Sequence, residues 1–134
     1  MMKGFFNGLV SARMMELEGE RLEIIRCMGD LMWNTIVWIP SIKTVVCSDV
    51  VFNDAHPFTC EVNEEQRKLW IKDIEGIYDL KPEVVIPGHM REGTPLDESG
   101  LKFTKDYLIA TEEELAATTT PGEFYYHMAK RFPT

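Results

Sequence analysis

The chain has 134 residues, of which 45% are hydrophobic and 27% are charged, as is usual for one globular domain. Its 14 basic and 22 acidic residues give a net charge of −8, which argues against a nucleic-acid or anionic-membrane partner. No apolar stretch approaches the roughly 20 residues of a transmembrane helix, and Asn7 and Gly8 interrupt the N-terminal apolar run, unlike a signal peptide. We therefore expect a cytoplasmic protein that forms a single domain over residues 1–134.

Five β-strands are predicted from short runs rich in β-branched and other apolar residues. The first two are joined by Gly19-Glu20, which predicts a two-residue hairpin connection. Pro40 ends the third strand because it lacks the N–H that a central ladder needs. The predicted strands cover residues 14–18, 21–27, 35–39, 44–48 and 83–86.

Three helices are predicted from apolar spacing and from their boundary signals. On the first helix, Trp70, Ile74, Ile77 and Tyr78 recur at helical spacing, which indicates core packing. Two of the helices begin with capping boxes, which pair Asn63 with Gln66 and Thr120 with Glu123. The predicted helices cover residues 64–80, 97–117 and 121–132. The resulting order of elements, β-hairpin, β, β, α, β, α, α, is typical of an α/β fold with one mixed sheet and helices on one face. The other sheet face then has no cover from this chain.

An acid and a histidine follow two of the strands. Asp49 and His89 each come after a buried, β-branched run, and α/β proteins bind ligands beyond the carboxyl ends of such strands. Asp30, after Gly29 in a loop beside another strand end, extends this set. Carboxylate and imidazole groups suit zinc, iron or manganese. The alternative for each residue is a turn former or a solvated surface group.

The remaining reactive side chains give weaker signals. His56 precedes Pro57 in a loop, and His127 lies on the last helix, where a surface or packing role is expected. The three cysteines form no CxxC motif, and Cys27 and Cys47 are predicted to be buried, inert thiols. The sequence contains no GxSxG, Walker A, GxGxxG or HExxH signature.

Several short motifs occur in a fixed order, namely Gly29-Asp30, Asn34-Thr-Ile-Val-Trp-Ile-Pro40, Lys43-Thr-Val-Val-Cys-Ser-Asp-Val-Val-Phe52, Trp70 and Val84-Val-Ile-Pro-Gly-His89. In this order they resemble the second half of the metallo-β-lactamase fold superfamily over roughly residues 13–115. In that family the matching aspartate bridges two metals, and the Pro-Gly-His histidine binds the second metal. The resemblance implies half of an αββα sandwich, with Asp49 and His89 as ligands of zinc, iron or manganese.

The chain also departs from the family pattern. The main ligand motif of the family, His-x-His-x-Asp-His, has no match here. Asp30 stands where the family usually has a third histidine, and Ser48 stands where it has a glycine. The resemblance therefore implies the carboxy-terminal half alone, as a truncated product or a fragment, with an incomplete metal site. Because the second sheet of the sandwich is missing, we expect a homodimer that stacks the two uncovered faces.

Two functions follow as hypotheses, and whether the chain is an enzyme stays open between them. In the first, the chain comes from a metal-dependent hydrolase lineage, with Asp49, His89 and Asp30 as metal ligands and a small-molecule substrate. In the second, it is a catalytically inactive, metal-free homo-oligomeric module. A third arrangement, in which an upstream polypeptide supplies the missing ligands in trans, also stays open.

Overall fold

A computed structural model describes residues 13–134 of the chain. Their regular elements, in chain order, are β1 (Arg13–Leu17), β2 (Glu20–Cys27), β3 (Asn34–Ile39), β4 (Thr44–Val46), β5 (Phe52–Asn53), α1 (Glu64–Asp79), β6 (Val84–Ile86), β7 (His89–Met90), α2 (Ser99–Ala117) and α3 (Pro121–Arg131). Two 3-10 turns, Pro40–Ile42 and Ser48–Val50, flank β4. Within these residues no helix has the length and apolar character that crossing a membrane requires.

The strands form one mixed sheet and one small parallel ladder. The five-stranded sheet has the order β1-β2-β3-β4-β6, and all its pairs are antiparallel except β4 with β6. The two-residue strands β5 and β7 pair with each other in parallel. The predicted α/β class with a mixed sheet is confirmed. The β5–β7 ladder was not predicted, because runs of two residues carry no period.

The hairpin turn lies one residue earlier than predicted. Its central residues are Glu18 and Gly19, whose φ values of 50° and 83° are both left-handed, as a type I′ hairpin requires. Glu20 is therefore the first residue of β2 and pairs with Leu17. The prediction of a Gly19-Glu20 connection was wrong because it placed the glycine at the first central position instead of the second.

The core lies on one face of the sheet, where α1 and α2 cover it. On this face Ile25 pairs with Ile36 and Val45 pairs with Val85, and none of the four has exposed surface. They pack in one cluster with Trp70, Ile74 and Ile77 of α1 and with Leu101 and Leu108 of α2. The stripe predicted on α1 is thus the stripe that is buried, and the Asn63–Gln66 capping box that begins the helix is present.

The opposite face carries apolar side chains that are not part of this core. Ile24, Val37, Val46 and Ile86 lie side by side across four strands. They are half-buried or exposed, and Val46 keeps 37% of its surface. The buried cluster of residues 13–134 contains no member of this row. The helices of the described chain therefore cover one sheet face only, as predicted.

The last helix, α3, packs on α2 and not on the sheet. Its first turn is closed by the predicted Thr120–Glu123 capping box, with Pro121 at the first position. Met128 is buried in a second, smaller cluster with Tyr107 and Ala110 of α2. This pairing makes the α2–α3 end a separate region from the sheet core.

Candidate functional site

Asp49 lies in a tight turn that follows β4, an inner strand of the five-stranded sheet. The turn begins at Ser48, whose φ of 43° is left-handed, a conformation that glycine adopts at lower cost. The Ser48 hydroxyl donates a hydrogen bond of 2.8 Å to the carbonyl of Thr35 on β3. This bond offsets part of the backbone cost and fixes the turn against the neighbouring strand.

Two glycines allow other segments to approach this turn closely. A Cβ added to Gly88 would lie 2.4 Å from the carbonyl carbon and oxygen of Ser48 and 2.5 Å from Oδ1 of Asp49. A Cβ added to Gly29 would lie 2.7 Å from the carbonyl oxygen of Asp49. Both positions must lack a side chain for the loops to pack as they do. The Asp49 turn is therefore held between the loop after β2 and the loop after β6.

His89 is brought to Asp49 by strand pairing and by ring stacking. It opens β7 and pairs with Phe52 of β5, and its imidazole stacks on the Phe52 ring with centroids 5.2 Å apart and an angle of 13°. Its Nε2 lies 3.1 Å from Oδ1 of Asp49. The His89 side chain is 61% exposed and that of Asp49 is 39% exposed. The pair therefore faces solvent while Phe52, which is buried, fixes the ring from below.

Trp70 supports the same turn from the core. Its indole Nε1 donates a hydrogen bond of 2.8 Å to the carbonyl of Val50, one residue after Asp49, and its side chain is fully buried. From sequence this residue was assigned to packing alone. The signal that could have identified its second role is the indole N–H, which needs an acceptor when it is buried.

Asp30 reaches this region through its backbone. Its N–H donates to the carbonyl of Asp49 at 3.2 Å, which places the two loops side by side. Its carboxylate accepts a hydrogen bond of 2.9 Å from Nδ2 of Asn34. Asp49 and His89 are in direct contact, whereas the described interactions of the Asp30 side chain are made with Asn34. The role of these residues as metal ligands stays a prediction.

The donor set can be compared with what a metal ion needs. Two donors on a tetrahedral zinc ion, each about 2.0–2.1 Å from it, lie about 3.3 Å apart, close to the separation of the Asp49 and His89 atoms. A catalytic zinc site needs three protein ligands. Within residues 13–134, no group of three or more His, Cys, Asp or Glu side chains is arranged to hold a metal ion. The described residues therefore fit part of a metal site and not a whole one.

The two other histidines have partners of their own, and two of the three cysteines are buried. His56 contacts the hydroxyl of Tyr107, and His127 contacts the carboxylate of Glu114 on α2. Cys27 and Cys47 are buried as predicted, and desolvation raises the pKa of both thiols far above its ordinary value. A thiol that stays protonated is neither a nucleophile nor a ready metal ligand.

Comparison with known proteins gives matches at the level of structure. No protein-family model matches the sequence, and no curated protein does either. A metallo-β-lactamase family protein from Thermus thermophilus superposes with a TM-score of 0.67 and 19% identity, over 88% of this chain and 41% of that one. A metallo-β-lactamase from Pontibacter korlensis superposes with a TM-score of 0.58 and 22% identity, over 74% of this chain and 46% of that one.

This chain has a partial metallo-β-lactamase fold. The DIM-1 metallo-β-lactamase adds a third match, with a TM-score of 0.56 and 22% identity over 77% of this chain and 45% of that one. The predicted resemblance to the metallo-β-lactamase superfamily is thereby confirmed for the fold. At these identities the likeness concerns the fold alone. The chain spans less than half of the length of the solved structures that it matches.

Proposed function

We propose that this chain carries half of a metal-dependent hydrolase centre, in which Asp49 and His89 are metal ligands. The remaining ligands would come from polypeptide outside residues 13–134, and Asp30 is the nearest further candidate within them. The observation that supports this proposal is the 3.1 Å approach of the His89 Nε2 to the Asp49 Oδ1 at an open edge of a metallo-β-lactamase fold. The chain alone should bind zinc, iron or manganese weakly.

The position of the pair supports a ligand-binding role over a purely structural one. Both residues follow parallel, paired strands, β4 and β6, at the edge where α/β folds bind ligands. Both side chains keep solvent access, although Gly88 and Gly29 pack tightly against the turn that carries Asp49. An exposed carboxylate–imidazole contact also adds little to stability.

Zinc binding by the full chain tests this proposal. Equilibrium dialysis should give weak, saturable zinc binding to the wild-type chain. Asp49→Asn and His89→Gln should each weaken it about tenfold or more, because each removes one of two donors. Asp30→His should tighten it, since the Asp30 backbone already contacts Asp49. His127→Gln is the matched control and should leave zinc binding unchanged.

Zinc binding that does not depend on Asp49 and His89 would reject the proposal. Equal zinc binding by the wild type, Asp49→Asn and His89→Gln would mean that the pair is not a ligand pair. Both side chains are accessible to solvent, so the two substitutions should leave the fold intact. Circular dichroism of each variant checks this beside the dialysis. If the wild-type chain binds no zinc and the Asp30→His variant binds none either, the result favours a metal-free role for the chain.

A second candidate function is that of a metal-free homo-oligomeric module, and the uncovered sheet face favours it. Ile24, Val37, Val46 and Ile86 form an apolar row four strands wide, which a second copy could cover by stacking its own row. A stable interface of this kind buries about 800 Å² from each partner. Sedimentation at micromolar concentration should then give a dimer, and Val37→Glu should give a folded monomer. A wild-type monomer would reject this candidate.

A further inference from the structure

A cavity of about 310 Å³ lies at the α2–α3 end of the molecule. Its walls come from three separate segments, which are the loop after β5, the helix α2 and the C-terminal helix α3 with the residues that follow it. It is lined by His56, Tyr107, Phe124, Tyr125, Met128, Ala129, Phe132, Pro133 and Thr134. Its volume is at the lower end of the range that small-molecule sites occupy, and about twice that of cavities that hold one benzene ring.

A polar pair lies on the wall of this apolar cavity. His56 Nδ1 and the Tyr107 hydroxyl are 2.9 Å apart, although 51 residues separate them in the chain. A neutral imidazole and a phenol carry one N–H and one O–H between them, and their mutual hydrogen bond uses one of the two. One donor therefore remains for a third group, whichever tautomer His56 adopts. Lone pairs also remain, so that the pair can accept a hydrogen bond as well.

The rest of the wall is aromatic and apolar. The rings of Tyr107 and Phe132 lie 4.7 Å apart, and Met128 is buried beside them. No charged side chain is among the described residues that line the cavity. Burial raises the pKa of the Tyr107 phenol to about 12, so that it stays neutral at physiological pH. The surroundings therefore suit an uncharged, flat ligand.

We propose that this cavity is a binding site for a neutral, two-ring aromatic molecule that carries one hydroxyl group. The ring system packs between Phe124 and Phe132, and the hydroxyl group exchanges hydrogen bonds with the His56–Tyr107 pair. The wall has no Asp, Glu, Lys or Arg side chain that could pair with a charged group. The site is independent of Asp49 and His89, and it stands or falls apart from the proposed metal site.

Binding of 2-naphthol, naphthalene and 2-naphthoate to the full chain tests the proposal, with the ¹³C-labelled methyl of Met128 as the NMR reporter. A saturable shift is expected with 2-naphthol. Naphthalene, which lacks the hydroxyl group, should bind about 3- to 10-fold more weakly, as the loss of one hydrogen bond predicts. The charged 2-naphthoate should bind more weakly still. Ala129→Leu should abolish the saturable shift, because its side chain fills the cavity.

Tyr107→Phe separates recognition by the polar pair from simple filling of a gap. It keeps the ring and removes the hydroxyl, so 2-naphthol should lose part of its advantage over naphthalene, because only His56 remains to bond its hydroxyl group, while naphthalene binding is kept. Tyr126→Phe makes the same change on an exposed residue of α3 that does not line the cavity, and it should alter neither affinity. Non-saturable shifts with 2-naphthol, or equal affinities for the three probes, would overturn the proposal. An unchanged preference in Tyr107→Phe would do the same.

Discussion

The two faces of the five-stranded sheet are built by the same strands but end in different surroundings. On one face Ile36 of β3 is fully buried under α1 and α2, and on the other its neighbour Val37 belongs to the row that these helices leave open. A strand with apolar residues on both faces is typical of the inside of a layered fold. The apolar residues of these strands therefore suit a sheet that is covered on both faces, although the described helices cover only one.

The largest effect is expected from a substitution on the covered face of the sheet. Ile36→Ala should lower the free energy of unfolding by about 2–5 kcal/mol, because the cavity that it leaves cannot be filled by solvent. Val37→Ala, the next residue on the other face, should cost less than about 1 kcal/mol at concentrations where the chain is monomeric. Urea denaturation of both variants measures the difference. Equal losses would mean that the open face is in fact covered.

Next in size is the effect of adding a methyl group at a loop contact. Gly88→Ala should cost about 1–3 kcal/mol and displace the Asp49 turn, because its Cβ meets backbone atoms at 2.4 Å. Gly122→Ala on α3 meets nothing within 4 Å and should be neutral or stabilising by up to about 1 kcal/mol. Thermal denaturation compares the two. A tolerated Gly88→Ala would show that the loop after β6 does not pack on the turn at the edge of the sheet.

A smaller effect is expected at Ser48. Ser48→Ala keeps the left-handed backbone cost and loses the hydrogen bond to Thr35, so it should cost about 1 kcal/mol. Ser48→Gly loses the same bond but relieves the backbone, so it should lie within about 0.5 kcal/mol of the wild type. The order of the two melting temperatures checks this. The reverse order would mean that the backbone conformation at Ser48 is not strained.

The smallest effect concerns α3, which packs on neither sheet face. The hydrogen bond from His127, and then that from Arg131, lowers the pKa of Glu114 below its ordinary value. A lowered carboxyl pKa adds stability above the unfolded value of about 4.5 and loses it as the pH falls through the folded value. Glu114→Gln should therefore reduce the melting temperature at pH 6, and the reduction should shrink as the pH falls below 4.5. A constant difference over this range would contradict it.

Local signals allowed much of the fold to be predicted from the sequence. The capping boxes at Asn63 and Thr120 depend on residues three positions apart, so they are visible in the sequence and are present in the structure. The hairpin turn was predicted one residue late because the choice between Glu18-Gly19 and Gly19-Glu20 depends on backbone angles. The β5–β7 ladder depends on pairing between residues almost forty positions apart, which no local pattern encodes.

The contacts of the candidate site were also predicted only in part from the sequence. The approach of His89 to Asp49 was anticipated, because both follow strands that end at one edge of a sheet. The supports of this contact were not, since the hydrogen bond from Trp70 to Val50 and the stacking of His89 on Phe52 join distant segments. The His56–Tyr107 pair was missed for the same reason. His56 alone gave only the signal of a loop histidine.

The hydrogen bond from the Asp30 backbone to Asp49 makes a codon change at position 30 of interest. Every aspartate codon becomes a histidine codon when its first base changes from G to C. At position 30 that one base replaces a carboxylate, now engaged with Asn34, by an imidazole on a loop already anchored beside the Asp49–His89 contact. Under the ligand role proposed for Asp49 and His89, a single base change would thus place a nitrogen donor on the loop that adjoins them.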